Sequence, residues 1–268
     1  MVGLRIGKVK EYYYSNNSLK FEGEYLNGKK IGKEYYSNGS LKYEGEYLNE
    51  NKWNGKGYNQ EGIIDFEIKE GTGKGKDYYY DGIIKYEGEY LNGERKGKEY
   101  YNNGKLEFEG EYLNDKKNGK IKQYNYNGKV IFEGEYINGK RYGKGKEYYD
   151  NDIIKYEGEY LNGERNGKVK EYYDNGKLKY EGEYIKGKRN GKVKEYYRNG
   201  KLKYEGEYIN GKKNGKGKEY YDNGKLKYEG EYINGERNGK GKEYYDNGKL
   251  KYEGEYINGE KNEKYIIF

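Results

Sequence analysis

No cysteine, proline, histidine or alanine occurs among the 268 residues, and methionine and tryptophan occur once each. Without cysteine there are no disulfides and no thiolate metal sites. Without histidine there is no imidazole base. Serine is confined to Ser15, Ser18, Ser37 and Ser40, and Thr72 is the only threonine. A nucleophile needs an adjacent general base, and none is offered. Long hydrophobic runs are also missing: no stretch approaches the ~18 apolar residues of a membrane helix, and the opening MVGLRIGKVKEYYY has no apolar core of a signal peptide. A cytoplasmic location is expected.

What the chain does have is charge and tyrosine. Charged residues make up 38%, and mean hydropathy is −1.50, a composition that by itself suggests disorder. The 42 tyrosines argue the other way, because they recur at fixed positions. The net charge of +7 is spread by close alternation of sign. That differs from the clustered basic stripe of a nucleic-acid binder, so no nucleic-acid partner is expected.

The phasing of the tyrosines follows from a repeat of about 24 residues. The repeats open at Gly7, Gly32, Gly55, Gly73, Gly97, Gly119, Gly143, Gly167, Gly191, Gly215 and Gly239. Self-similarity at such a period marks an array whose members bury their faces only against neighbours. The second and fifth repeats lack two residues before their Glu-Tyr-Tyr segment. Residues 55–72 are degenerate, with Ile68 standing where other repeats carry glycine; either a kink or decay accounts for it. The apolar end within 261–268, Tyr265-Ile266-Ile267-Phe268, is expected to cap the stack. A single array over 1–268 is expected.

Within a repeat the period is two. From Gly167, a strand over Lys168–Tyr173 leads to Asn175-Gly176, which favours a two-residue type I′ turn, and a second strand covers Leu178–Tyr184. A further turn follows at Lys186-Gly187. This predicts an all-β fold: an elongated, solenoid-like stack of about 11 β-hairpins forming a twisted antiparallel ribbon, on the order of 100 Å long at ~4.8 Å per strand.

The hairpin register sets Lys170 opposite Glu181, Lys168 opposite Glu183, Val169 opposite Gly182 and Tyr173 opposite Leu178. One face then carries Val169, Tyr173, Leu178, Tyr180 and Tyr184, and the other carries the lysines and glutamates. Mid-strand glycines such as Gly217 and Gly230 need cover, which neighbouring tyrosine rings are expected to supply. Glu171 falls on the apolar face opposite Tyr180; either its carboxylate is hydrogen-bonded near a rim or a bulge shifts the register.

Two strips are candidates for binding. Tyr172, Tyr196, Tyr220 and Tyr244, the first of each tyrosine pair, point to the charged face and would form an outward row suited to a protein contact. The alternative for the pairs is ring stacking between hairpins. The inter-hairpin turns would align Lys188, Arg189, Lys192, Lys212, Lys213 and Lys216 along one edge that could meet anionic lipid headgroups, interrupted by Glu164, Glu236 and Glu260. Carboxylates on one strand face, such as Glu181 and Glu183, could attract Ca²⁺, but lysines oppose them, so no metal site is expected. The GKGK segments lack P-loop spacing. No catalytic residue and no cofactor is expected.

The pattern carried by Tyr172, Tyr173, Asn175, Gly176, Leu178, Glu181, Gly182, Tyr184, Gly187 and Gly191 resembles MORN repeats, in particular the MORN-2 variant class common in bacterial proteins and often labelled as antitoxin components. The resemblance covers nearly the whole chain. It implies a hairpin stack used for protein association, sometimes with membrane attachment, and no single biochemical activity. A second, looser similarity is to cell-wall choline- or glucan-binding repeats, which rely on tryptophan, whereas here Trp53 stands alone. The expected function is therefore a non-catalytic protein-binding scaffold or adaptor. Alternatives are an antitoxin or immunity-type protein neutralising a toxin, and anionic-membrane association. Exposed terminal strands would allow end-to-end association of copies.

Overall fold

A computed structural model describes residues 7–26, 29–49, 51–91, 94–113 and 116–262. The cap expected at Tyr265-Ile266-Ile267-Phe268 lies outside them. The fold is all-β. The described strands follow one another as antiparallel hairpins in two open sheets. The first sheet has six strands, from Gly7–Tyr12 to Ile64–Ile68; the second starts at Gly73–Tyr78. The first sheet thus ends inside the degenerate repeat. There Ile68 pairs with Gly55 and is fully buried, and the chain turns through a single Lys69–Thr72 bridge. The chain divides into two compact units, residues 1–130 with 137–139 and residues 131–136 with 140–268.

The hairpin register follows the alternation of charge. Strand Glu164–Tyr172 pairs with Leu178–Ile185 so that Lys168 meets Glu183, Val169 meets Gly182 and Lys170 meets Glu181. The expected pairing of Tyr173 with Leu178 is not found: a bulge between Glu171 and Tyr172 places Tyr172 opposite Leu178. The cause is the turn. Asn175 does not take positive φ; only Gly176 does, at 79°, and the Gly176 N–H donates to the Tyr173 carbonyl. This is a turn centred on Asp174-Asn175 followed by a left-handed glycine, one residue longer than the expected type I′ turn. The two-residue I′ geometry sits at the other turn instead, where Lys186 and Gly187 both have positive φ (48° and 72°).

Between hairpins the ladder carries a second irregularity. Glu181 pairs with Lys194 but Glu183 pairs with Asn190, so Gly191 and Lys192 bulge out, with Gly191 at φ 67°. In the two short repeats the pairing runs through without a shift, Gly23 to Gly32 and Gly88 to Gly97. The two residues missing there are the bulge.

The core is a single layer of rings lying on glycine. In the second unit Tyr180, Tyr204 and Tyr228 are buried. The hydroxyl of Tyr228 donates to the Glu231 carbonyl, which lays its ring along Gly230 and Gly241. The ring of Tyr184 meets that of Tyr180 edge-on at 5.6 Å. Adjacent hairpins are tied at both edges. The Tyr173 hydroxyl donates to the Tyr196 carbonyl (2.8 Å), and the Gly187 N–H donates to the Arg165 carbonyl (3.0 Å). The second tyrosine of each pair is therefore a staple between hairpins.

Candidate interaction surfaces

Strand alternation divides the second unit into two faces of different character. On the tyrosine face the rings are roofed by cations. The guanidinium of Arg189 lies 4.2 Å from the Tyr180 ring centre, and that of Arg165 lies 4.1 Å from Tyr156. Such contacts are worth about 0.5–2 kcal/mol depending on desolvation. Each arginine also bridges two carboxylates. Arg165 donates to Glu147 (2.7 Å) and Glu171 (2.8 Å), and Arg189 to Glu171 (3.2 Å) and Glu195 (2.5 Å). Glu171 thus lies on the apolar face and is buried, held by Arg165, Arg189 and the Tyr184 hydroxyl (2.8 Å). Of the two alternatives raised for it, the hydrogen-bonded carboxylate is the one found: the bulge begins only after Glu171 and leaves it opposite Tyr180. The chain of alternating charges runs from Arg141 to Glu195. Lys213, with one nitrogen in place of a fork, reaches Glu219 alone (2.5 Å).

Glu219 shows what this network does to a carboxyl group. Burial would raise its pKa, but hydrogen bonds and charge from Lys213 and Arg237 outweigh burial and hold it at about 2, against an ordinary 4.5. Its contribution to stability is complete above pH 4.5 and is lost as pH falls toward 2. Tyrosines act at the other end of the scale. Burial, helped by hydrogen bonds to Glu181 and Glu205, pushes Tyr196 and Tyr220 up to about 12 from 10. Their contribution is complete below pH 10 and is lost as pH rises toward 12. A fraction of the tyrosinate absorbance is therefore expected to appear only well above pH 10, together with loss of strand circular dichroism. A smooth titration centred on 10, with the strand signal intact, would contradict this.

The opposite face is an open concave groove of about 1820 Å³. Its floor is the backbone along the glycine strip, including Gly182, Gly206 and Gly230. Its walls alternate strand by strand between lysine pairs such as Lys192 and Lys194 and glutamate pairs such as Glu205 and Glu207. The half-buried Tyr172, Tyr196, Tyr220 and Tyr244 stand beside this face. Their hydroxyls donate to Glu157, Glu181, Glu205 and Glu229 at 2.5–3.0 Å, and the last three of these glutamates line the groove.

The structure does not bring the six basic residues to one edge. Lys188 and Lys212 are exposed beside the inter-hairpin turns. Arg189 and Lys213 turn to the tyrosine face and its ion network, Lys213 lying 4.3 Å from the Tyr204 ring centre. Lys192 and Lys216 line the groove. Adjacent strand residues point to opposite faces, and the Gly191–Lys192 bulge moves Lys192 away from the turn. One row escaped the sequence reading. Ile185, Ile209, Ile233 and Ile257 end the second strands of successive hairpins on the charged-face side and are 51–53% exposed. The signal was present as an aliphatic residue at the wrong parity for the core in each repeat.

Among the described residues no helix is long and apolar enough to cross a membrane. The MORN repeat variant model matches residues 30–49, 96–114, 117–138, 165–186, 189–210 and 237–258, and the MORN repeat model matches 132–152 and 204–225. No curated protein matches the chain. Among solved structures it is similar to TcdB2-TccC3, with 11% identity and a TM-score of 0.22 over 92% of this chain and 18% of that one. It is also similar to TcdB2-TccC3-Cdc42, with 12% identity and a TM-score of 0.22 over 92% and 17%. A third is the Tc holotoxin pore of Photorhabdus luminescens, with 10% identity and a TM-score of 0.17 over 88% and 14%. The chain spans less than a fifth of the length of each of these chains. The two repeat models together take in more than half of the chain, each variant match spanning one observed hairpin, and the chain belongs to the MORN repeat family, a non-enzymatic repeat type associated with protein or membrane binding.

Proposed function

We propose that the chain is a non-catalytic scaffold or adaptor, one array over 1–268 acting in the cytoplasm, that binds a protein partner along the groove of its second unit. The observation that carries this reading is the groove itself. Its walls present the same lysine and glutamate pairs at every repeat, and the tyrosines Tyr196, Tyr220 and Tyr244 border it. Repetition of one modest contact multiplies affinity for an extended target, and the mixed charge favours selectivity over bulk attraction.

The test compares tagged wild type with a variant carrying Lys192→Gln, Lys194→Gln, Lys216→Gln and Lys218→Gln, which removes the charges without setting like charges across the strands. All four positions are exposed, so the strand signal in circular dichroism should be unchanged. A stoichiometric protein held by the wild type and lost by the variant is the expected result; if that protein is small and toxic, the antitoxin version is selected. A protein retained equally by both, or salt-sensitive binding to anionic vesicles with no protein partner, would overturn the groove reading.

A further inference from the structure

The aliphatic row at the inter-hairpin edge has its own charge pattern. Each of its isoleucines pairs across the turn with a charged residue: Ile185 with Lys188, Ile209 with Lys212, Ile233 with Glu236 and Ile257 with Glu260. Cross-strand partners share a face, so one edge presents these eight side chains in single file, alternating aliphatic and charged. All eight are exposed. Among the described residues none of the four charges forms an ion pair, whereas Arg189, Lys213 and Arg237 on the other face all do. An exposed aliphatic file of this regularity on a strongly polar chain marks a contact surface.

The order of charges is two lysines followed by two glutamates, and it is self-complementary under a two-fold rotation. With the axis at Ile233, a second copy laid antiparallel along the edge brings Ile233 onto its own equivalent and Ile209 onto Ile257. Lys212 then meets Glu236 and Lys188 meets Glu260. Aliphatic meets aliphatic and lysine meets glutamate at each of these positions. Sliding the second copy by one strand sets isoleucine against charge, and moving the axis to Lys212 or Glu236 sets that charge against its own equivalent. A two-fold interface needs such self-complementarity.

We propose that this edge is a dimer interface between two copies of the chain, in the register centred on Ile233. It goes beyond the groove reading and does not depend on it. The contact is a narrow strip at the small end of specific interfaces, so dimerisation depends on concentration and weakens with salt.

The absence of cysteine makes the register testable. In sedimentation velocity at low salt, the wild type is expected to shift from monomer to dimer as concentration rises. K188E with K212E should remain monomeric, as should E236K with E260K. An equimolar mixture of these two variants should recover the dimer, and the quadruple swap should dimerise as the wild type does. I233C should form a disulfide-linked dimer under mild oxidation. I209C alone should not, but I209C mixed with I257C should. Because all these side chains are exposed, unchanged circular dichroism will separate loss of contact from loss of fold. A wild type that is monomeric throughout, a dimer indifferent to the charge reversals, or equal cross-linking of I233C and I209C would each overturn the proposal.

Discussion

Asp77→Asn is expected to destabilise the first unit by about 3 kcal/mol, the cost of leaving a buried charge without its partner. The charge is the ammonium of Lys52, which is only 7% exposed and lies about 5 Å from the ring centres of Tyr43 and Phe66. Its donors reach the Asp77 carboxylate and the Lys76 carbonyl, across the junction where the first sheet ends and the second begins. Burial would raise the pKa of Asp77. The charge and hydrogen bond of Lys52, the charge of Lys42 and the Tyr90 hydroxyl outweigh burial and hold it at about 2, against an ordinary 3.8. The asparagine keeps the shape and removes the charge. Lys52→Met should cost less, about 1–2 kcal/mol, because it removes the more deeply buried ion and leaves Asp77 with Lys42 and Tyr90. Urea unfolding of both variants and of the double variant checks this. The double variant should lie close to Lys52→Met, and an Asp77→Asn midpoint equal to wild type would refute the account. The same pair should loosen in acid: its contribution is complete above pH 3.8 and is lost as pH falls toward 2.

The second large effect separates two glycines that face each other across one hairpin. A β-carbon on Gly230 would lie 2.3 Å from the Tyr228 hydroxyl oxygen and 2.8 Å from the α-carbon of Gly241. The hydroxyl could swing away, but the backbone cannot. Gly230→Ala is therefore expected to cost about 3 kcal/mol, the upper end of overpacking penalties. Gly217, on the first strand of the same hairpin, has atoms of the Tyr204 side chain as its three nearest neighbours, the closest at 2.6 Å. Val169 and Val193 already occupy the equivalent position in earlier repeats, buried opposite Gly182 and Gly206. Gly217→Val should accordingly be tolerated within about 1 kcal/mol, with its added methyl groups displacing only the Tyr204 ring. Thermal melts of the two variants decide the point. Equal destabilisation would show that ring cover, rather than backbone approach, sets the requirement for glycine.

The parts of this fold that could be read in advance are those governed by the period of two and by opposite charges. Lys170 against Glu181 needed only counting from the turn. The misreading of Asn175-Gly176 came from a choice between two turns that share a sequence: Asp-Asn-Gly serves a two-residue loop, or a longer one that ends in a left-handed glycine. The difference is one residue, absorbed as a bulge after Glu171, where no side chain announces it. The Gly191–Lys192 bulge was visible only as two missing residues in the second and fifth repeats. Without it, Lys188 through Lys192 looked like one basic edge, although the strand sends these side chains to different faces. The roof of arginines over the tyrosines was not legible either. It depends on contacts 9 and 18 residues apart, such as Arg189 with Tyr180 and with Glu171, that only the stacked hairpins bring together.

The staples between hairpins, such as Tyr173 to the Tyr196 carbonyl and Tyr197 to the Tyr220 carbonyl, span 23 residues and no more. A rung of the ribbon is thus acquainted only with the rungs beside it. Excising Gly191 to Asn214 would bring Asn190 directly to Gly215 and rejoin surfaces of almost the same sequence, and inserting a further copy would do the reverse. Length in this molecule is a quantity that a gene can change in whole steps through slippage between its own near-identical segments, with each product already provided with the contacts it needs.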